Sequence, residues 1–261
     1  MKQNINSIIG QSVRAINGDI GKVSDFIFND QTWTIHYLVV NTGKWLFDRE
    51  VLISPLALGQ YDRKSLKLVV NLTRKQVFSS PDIDIHMPLS RQNERRLFDY
   101  YSWPSYWNNE YFPLEGRGVL DEEINKTKEI KETKESKETK PEDSHLRSVN
   151  AITGYSIHAI DGNIGHIKDF VVDDENWNIL HLVAAAYSWW SRKNVLIPIR
   201  RVRKINLEDE EFLLDLNRAT VMNGPEYEYS KLSNTEIGEV KVGGTEYKKA
   251  STRSQSHLFT L

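Results

Sequence analysis

The 261-residue chain contains no cysteine. Disulfides, thiolate nucleophiles and cysteine-based zinc sites are excluded together. No run approaches the eighteen or so apolar residues that a helical membrane span needs. The opening residues, MKQNINSIIG, hold one lysine and no apolar core segment, so they do not read as a signal peptide. A cytoplasmic location is the expectation. An excess of one charge is missing as well. The formal net charge is -2, which gives no bulk attraction to nucleic acid. By region the net is +4 over 1–81, -5 over 82–145, -3 over 146–230 and +2 over 231–261. None of these is basic enough for a dedicated nucleic-acid module. Catalytic motifs are absent too: there is no GxSxG, Walker A or GxGxxG, and the seven histidines form no HxH or HExxH spacing. No cofactor and no metal are expected.

What is present is a repeat at an offset of 144. Gly10, Ser12, Ala15, Ile16, Gly18, Ile20 and Gly21 recur as Gly154, Ser156, Ala159, Ile160, Gly162, Ile164 and Gly165. Asp25, Phe26, Asp30, Trp33, Ile35, Leu38 and Val39 recur as Asp169, Phe170, Asp174, Trp177, Ile179, Leu182 and Val183. Trp45 recurs as Trp189, and Leu72, Val77 and Pro81 recur as Leu216, Val221 and Pro225. No gap is needed from Gly10 to Pro81. Two copies are too few for a solenoid, so each copy is expected to fold as a unit, of small core and marginal stability.

Each copy reads as β structure. Asn17-Gly18-Asp19 and Asp161-Gly162-Asn163 lie between apolar runs, the signal of a tight hairpin. Gly21 and Gly165 suggest a bulge or a barrel corner. Strands are predicted over Ile20–Phe28, Trp33–Val40, Val51–Ile53 and Leu66–Val70, joined by a turn at Asp30-Gln31-Thr32. Thr73 and Gln76 have capping-box spacing, so a short helix closes the copy. The predicted class is mainly β: two small barrels with short helices.

Between and beyond the copies the composition changes. The boundaries predicted are copy one over 1–85, a helix with an aromatic extension over 86–115, a charged linker over 116–145, copy two over 146–230 and a disordered tail over 231–261. The extension opens with Ser90 as N-cap and runs through Leu97, Phe98, Tyr100 and Tyr101 to Trp103, Tyr106 and Trp107. So many aromatics need a surface to cover. A clasp over one barrel or across the pair is the first reading, and an exposed platform for a partner the second. Residues 121–143 alternate lysine and glutamate with almost nothing to bury, as in a solvated linker.

Three groups of polar residues are candidates for chemistry. His158, His166 and His181 lie in copy two, where copy one has Arg14, Lys22 and Tyr37. They read as surface or half-buried histidines. The acids Asp25 and Asp30 match Asp169 and Asp174. A hydrolytic pair is the sharper reading, and turn-making the simpler one, because aspartate bonds local N–H groups. Arg200, Arg201, Arg203 and Lys204 form the densest basic cluster, where copy one has Leu56 to Gln60. It is followed at once by Glu208-Asp209-Glu210-Glu211, which is expected to neutralise part of it.

The combined pattern, G-x-S-(V/I)-x-A-x-(D/N)-G-x-I-G-x-(V/I)-x-D-F followed by a tryptophan strand W-x-I-x-x-L-V, resembles the PRC-barrel domain in both copies. The stretch Leu97–Tyr101 with Tyr106 and Trp107 resembles the extension of bacterial tandem PRC-barrel proteins. The resemblance implies a six-stranded barrel-like fold in each copy. It also implies kinship with the cytoplasmic domain of the photosynthetic reaction centre H subunit and with the C-terminal domain of the ribosome maturation factor RimM. Both are docking or modulating modules. A non-enzymatic interaction or scaffold protein is therefore expected, with a protein partner or a homodimer rather than nucleic acid. The contact residues expected are Trp103, Tyr106, Trp107, Arg200, Arg201 and Arg203. The alternatives are a membrane-associated modulator of electron or proton transfer and a ribosome-assembly factor.

Overall fold

The computed structural model describes residues 1–59, 67–83, 89, 91–104, 145–187 and 192–229. The linker 121–143, the tail after 229, and Ser90, Tyr106, Trp107 and Trp189 lie outside these. The first repeat forms β1 (Lys2–Asn4), α1 (Ile5–Ile8), β2 (Ser12–Ala15), β3 (Gly18–Asn29), β4 (Thr34–Asn41), β5 (Glu50–Ile53), β6 (Lys67–Val69) and α2 (Arg74–Phe78). Helix α3 (Arg91–Tyr101) follows. The second repeat forms β7 (Leu146–Ser148), α4 (Val149–Ile152), β8 (Ser156–Ala159), β9 (Gly162–Asp173) and β10 (Ile179–Tyr187). It ends with β11 (Arg192–Pro198), β12 (Val202–Asn206), β13 (Glu211–Leu214) and α5 (Arg218–Met222). The fold is mainly β, in two sheets. Among the described residues no helix is long and apolar enough to cross a membrane.

Local sequence explains the joints. Ala15 pairs with Gly18, leaving a two-residue hairpin loop of Ile16 and Asn17. Asn17 Oδ1 accepts the Arg74 N–H at 2.8 Å, and its counterpart Asp161 accepts the Arg218 N–H at 2.7 Å. The hairpin tip thus holds the first turn of α2 or α5, where backbone donors are otherwise unmet. Thr73 and Gln76 form the predicted capping box. Gly21 lies opposite a register shift in β2, so the bulge is real. Its hydrogen also marks a close crossing: a Cβ there would lie 2.1 Å from the Asn41 carbonyl oxygen, and one at Gly165 would lie 2.0 Å from that of Ala185.

The chain divides into two compact units that do not coincide with the sequence repeats. Unit 1 contains Ile5–Ile152 together with the Val172–Ile179 turn, while unit 2 contains Lys2–Asn4, Thr153–Val171 and the chain from Leu180 onward. In unit 1 the strand order is β5-β4-β3-β2-β6, and β7 of the second repeat pairs with β3. That pairing is antiparallel and joins Ile27 to Ser148, Phe28 to Arg147 and Asn29 to Leu146. In unit 2 the order is β11-β10-β9-β8-β13-β12, and β1 of the first repeat pairs with β9. Each unit therefore completes its sheet with the first strand of the other repeat. Copy-level pattern reading finds repeats, but not which copy donates a strand, because the two donors obey the same pattern.

In unit 1, one face of the sheet is covered by α3. Ile27, Tyr37, Val39 and Leu52 pack with Leu97 and Phe98 of the helix and with Leu146 of β7, and Tyr101 and Trp103 close the margin. Both flanks of the charged segment, Trp103 and Leu146, thus pack on one apolar cluster of unit 1. The passage from unit 1 to unit 2 lies at Ile152–Thr153, just before Gly154, whose φ of 97° suits glycine. In unit 2 the corresponding cluster is Val171, Val183 and Leu196 with Tyr227.

Candidate functional site

The basic cluster of the second repeat sits at an edge of the unit 2 sheet. Pro198 precedes a single 3-10 turn, Ile199–Arg201, which leads directly into β12. Among the described residues, strand β12 pairs on one side with β13 and is the last strand in its sheet. The register shifts between Val202 and Lys204, so Arg203 is the extra residue of a bulge. Arg200, Arg203 and Lys204 are exposed. Arg201 is half-buried, with Nη1 3.1 Å from Asp215 Oδ2. The expected neutralisation by the acidic run does not occur. Glu211 faces His158 Nε2 at 3.1 Å, and Asp209 accepts from the Asn206 side chain. Among the described residues, Arg200, Arg203 and Lys204 have no ion-pair partner. The first repeat has instead a capped turn at Pro55–Ala57.

The aromatic run is placed only in part. Trp103 stacks on Tyr101 at 4.3 Å and meets Phe98 edge-on at 5.8 Å. Trp103 thus packs, partly buried, against the apolar cluster of unit 1. A feature with no sequence signal lies beneath it: Glu94 is fully buried, and Tyr37 donates its hydroxyl to Glu94 Oε1 at 2.9 Å. A glutamate in a polar helix reads as solvated, and only the helix's docking on Tyr37 shows otherwise. Burial pushes the Tyr101 hydroxyl up to about 12.

The paired acids are neither a dyad nor simple turn-formers. Asp25 lies within β3 and is buried. It accepts the Phe26 N–H at 2.7 Å, the Ser148 hydroxyl, and the Asn150 N–H at 3.0 Å. Ser148 in turn accepts the Ala151 N–H at 3.0 Å. Asp25 therefore binds the first turn of α4 on the donated segment. Burial raises its carboxyl above the ordinary range, against the lowering effect of these bonds. Asp30 takes the Arg147 Nε at 2.7 Å and His145 Nδ1 at 3.0 Å, while its own N–H meets the His145 carbonyl at 2.8 Å. Asp174 repeats the last bond, its N–H meeting the Met1 carbonyl at 2.8 Å. Asp25, Asp30 and Asp174 are latches for donated strands.

The histidines of repeat two do not converge. His158 faces Glu211, and His166 is exposed. His181 is half-buried, and burial with Lys2 and Arg200 nearby lowers it to about 4. Its Nδ1 is buried without a hydrogen-bond partner among the described residues. Among those residues no three metal-ligating side chains gather. A hollow of about 430 Å³ in unit 2 is flanked by His166, Tyr187, Arg192, Lys193 and Glu226. Lys193 donates to the Gly224 carbonyl there at 2.7 Å. Its lining comes from four separate stretches of the chain, which no local motif unites.

The model of one family, the PRC-barrel domain, matches residues 2–77 and 147–221. The chain belongs to the PRC-barrel family. It is a tandem member, and both matched segments open on the donated strand. PRC-barrel domains are in general non-catalytic. The latches Asp25, Asp30 and Asp174 lie inside the matched segments, whereas α3 and Trp103 lie outside both. The basic edge falls within the second PRC-barrel segment, at positions where the first repeat has no such charge. No curated protein matches the chain.

Proposed function

We propose that this tandem PRC-barrel chain is a non-enzymatic interaction protein. Its docking surface is the basic edge of β12, and its partner is a protein with an acidic, extended segment. The observation that carries this reading is the edge itself. A terminal strand presents backbone donors and acceptors that an extended segment satisfies by pairing. The exposed Arg203 and Lys204, with Arg200 before them, carry charge that the neighbouring acids leave unpaired. Like charges along an edge oppose self-pairing and steer an acidic partner, raising the association rate more than the affinity. In this reading Trp103 fastens α3 to unit 1, Arg201 is held by Asp215, and Arg200, Arg203 and Lys204 make the contact.

The test is cross-linking capture from the native lysate, comparing the wild type with Arg200→Glu/Arg203→Glu, which keeps Lys204. The expected result is a partner whose cross-links run from Lys204 to an Asp/Glu-rich segment. It should be lost from the double variant and weakened by salt. The same partners captured at equal yield by both proteins would overturn the reading.

A further inference from the structure

The slot that receives β7 is built of parts that do not depend on which chain supplies the strand. It consists of the β3 backbone at Ile27, Phe28 and Asn29, the carboxylates of Asp25 and Asp30, and the apolar bed under α3. The inserted segment offers matching groups in order. His145 and Arg147 meet Asp30, Leu146 enters the apolar cluster, and Ser148 and Asn150 meet Asp25. The first repeat returns the gift, placing Lys2–Asn4 beside β9, where Asn4 accepts the Tyr227 hydroxyl at 2.7 Å in a buried bond. Donation is thus reciprocal, and the two donors stand at equivalent positions of the repeat.

We propose that a second copy of this chain fills these slots, giving a closed dimer in which repeat one of each chain exchanges strands with repeat two of the other. Every paired residue named above recurs in that dimer. The difference between one-chain and two-chain forms is then the effective concentration set by the tether. The tether between Pro104 and His145 is 40 residues long, and a tether sets an effective concentration on the order of a millimolar at most. Forty residues can span at most roughly 140 Å, so the length of the chain permits a crossing between two bodies. The monomer dominates in dilute solution, and the exchanged dimer forms when chains fold together at high concentration. Once formed it persists, because releasing a strand means breaking the latches and opening the sheet.

The experiment uses the full chain with two different affinity tags. The two versions are mixed, unfolded in urea and refolded by dilution to about 1 µM, far below the effective concentration, or about 1 mM, comparable with it. Dual-tagged species are captured through both tags in turn. The expected result is a dual-tagged dimer only from the concentrated sample, and its survival after dilution to the lower concentration. A second arm uses the absence of native cysteine. Asn29→Cys with Leu146→Cys places a thiol pair across the β3–β7 register, and Ile27→Cys with Ser148→Cys serves if the first pair does not fold. Under oxidation the dilute protein should close this disulfide within one chain, and the dimer should close it between chains. No dual-tagged species, one that dissociates at once, or a dimer with only within-chain disulfides would overturn the proposal.

Discussion

The two units treat the same sheet face in different ways. In unit 1, Ile27, Tyr37, Val39 and Leu52 lie under α3, and the hydroxyl of Tyr37 finds a buried carboxylate, Glu94. In unit 2 the matching residues are Val171, His181, Val183 and Leu196, and Tyr227 takes part in their cover. Tyr37 and His181 hold equivalent positions with opposite results. The tyrosine's polar end is satisfied, while one ring nitrogen of the histidine is buried without a partner. A duplicated sheet therefore keeps its backbone while its covers diverge. The latches that hold the donated strands repeat in part, since the Asp174 N–H meets the Met1 carbonyl as the Asp30 N–H meets that of His145.

The comparison breaks most sharply at α3. Phe98→Ala should destabilise the protein by about 3–5 kcal/mol, since a buried phenylalanine anchors the cover of unit 1. Urea unfolding measures it, and a loss below about 1 kcal/mol would mean that α3 is not the cover. On the other face the test is pH. His181 titrates near 6.5 unfolded and about 4 folded, so the unfolded state binds more protons between these values. Stability falls as pH drops through that window, by up to about 3 kcal/mol. His181→Leu should remove most of that slope while leaving stability at pH 7 nearly unchanged.

The shared latches come next in size. Asp25→Ala leaves the Ser148 hydroxyl and the Asn150 N–H without their acceptor, a loss of about 2 kcal/mol. Asp25→Asn should cost less. The folded carboxyl is raised by burial, so wild-type stability declines as pH climbs from the ordinary carboxylate value to the raised one. The Asn variant lacks that decline, and urea midpoints across the acid range would reveal it. The smallest effect concerns the charged segment. Both its flanks pack on unit 1, so replacing residues 121–143 by a short Gly-Ser link should shift stability by less than about 1 kcal/mol. A large loss would assign the segment a packing role.

Much of this was legible before any coordinates. The 144-residue offset, the Asn17-Gly18 hairpin, the Gly21 bulge and the Thr73 capping box are local signals, and local geometry answers to them. Strand donation was not legible, because β7 fits β3 and its own repeat by the same pattern. Only tertiary pairing decides between them. The acids show the same limit. Aspartate reads as a turn-former, and nothing in the residues flanking Asp25 reveals that Ser148 and Asn150, more than a hundred positions later, supply the donors. The buried state of Glu94 was hidden because helix α3 is polar along most of its length. The basic edge was readable in composition, but its freedom from the acidic run depends on where Glu211 and Asp209 point.

Strand donation also sets a timetable for synthesis. Asn29 and its partner Leu146 are 117 positions apart. At about 5–20 residues per second, the edge of β3 waits roughly 6–23 s on the ribosome before its own donor emerges. The lysine–glutamate stretch over 121–143 leaves the tunnel during that wait. With 15 of its 23 residues charged, it is a poor substitute strand, so the vacant edge is kept for the segment that follows.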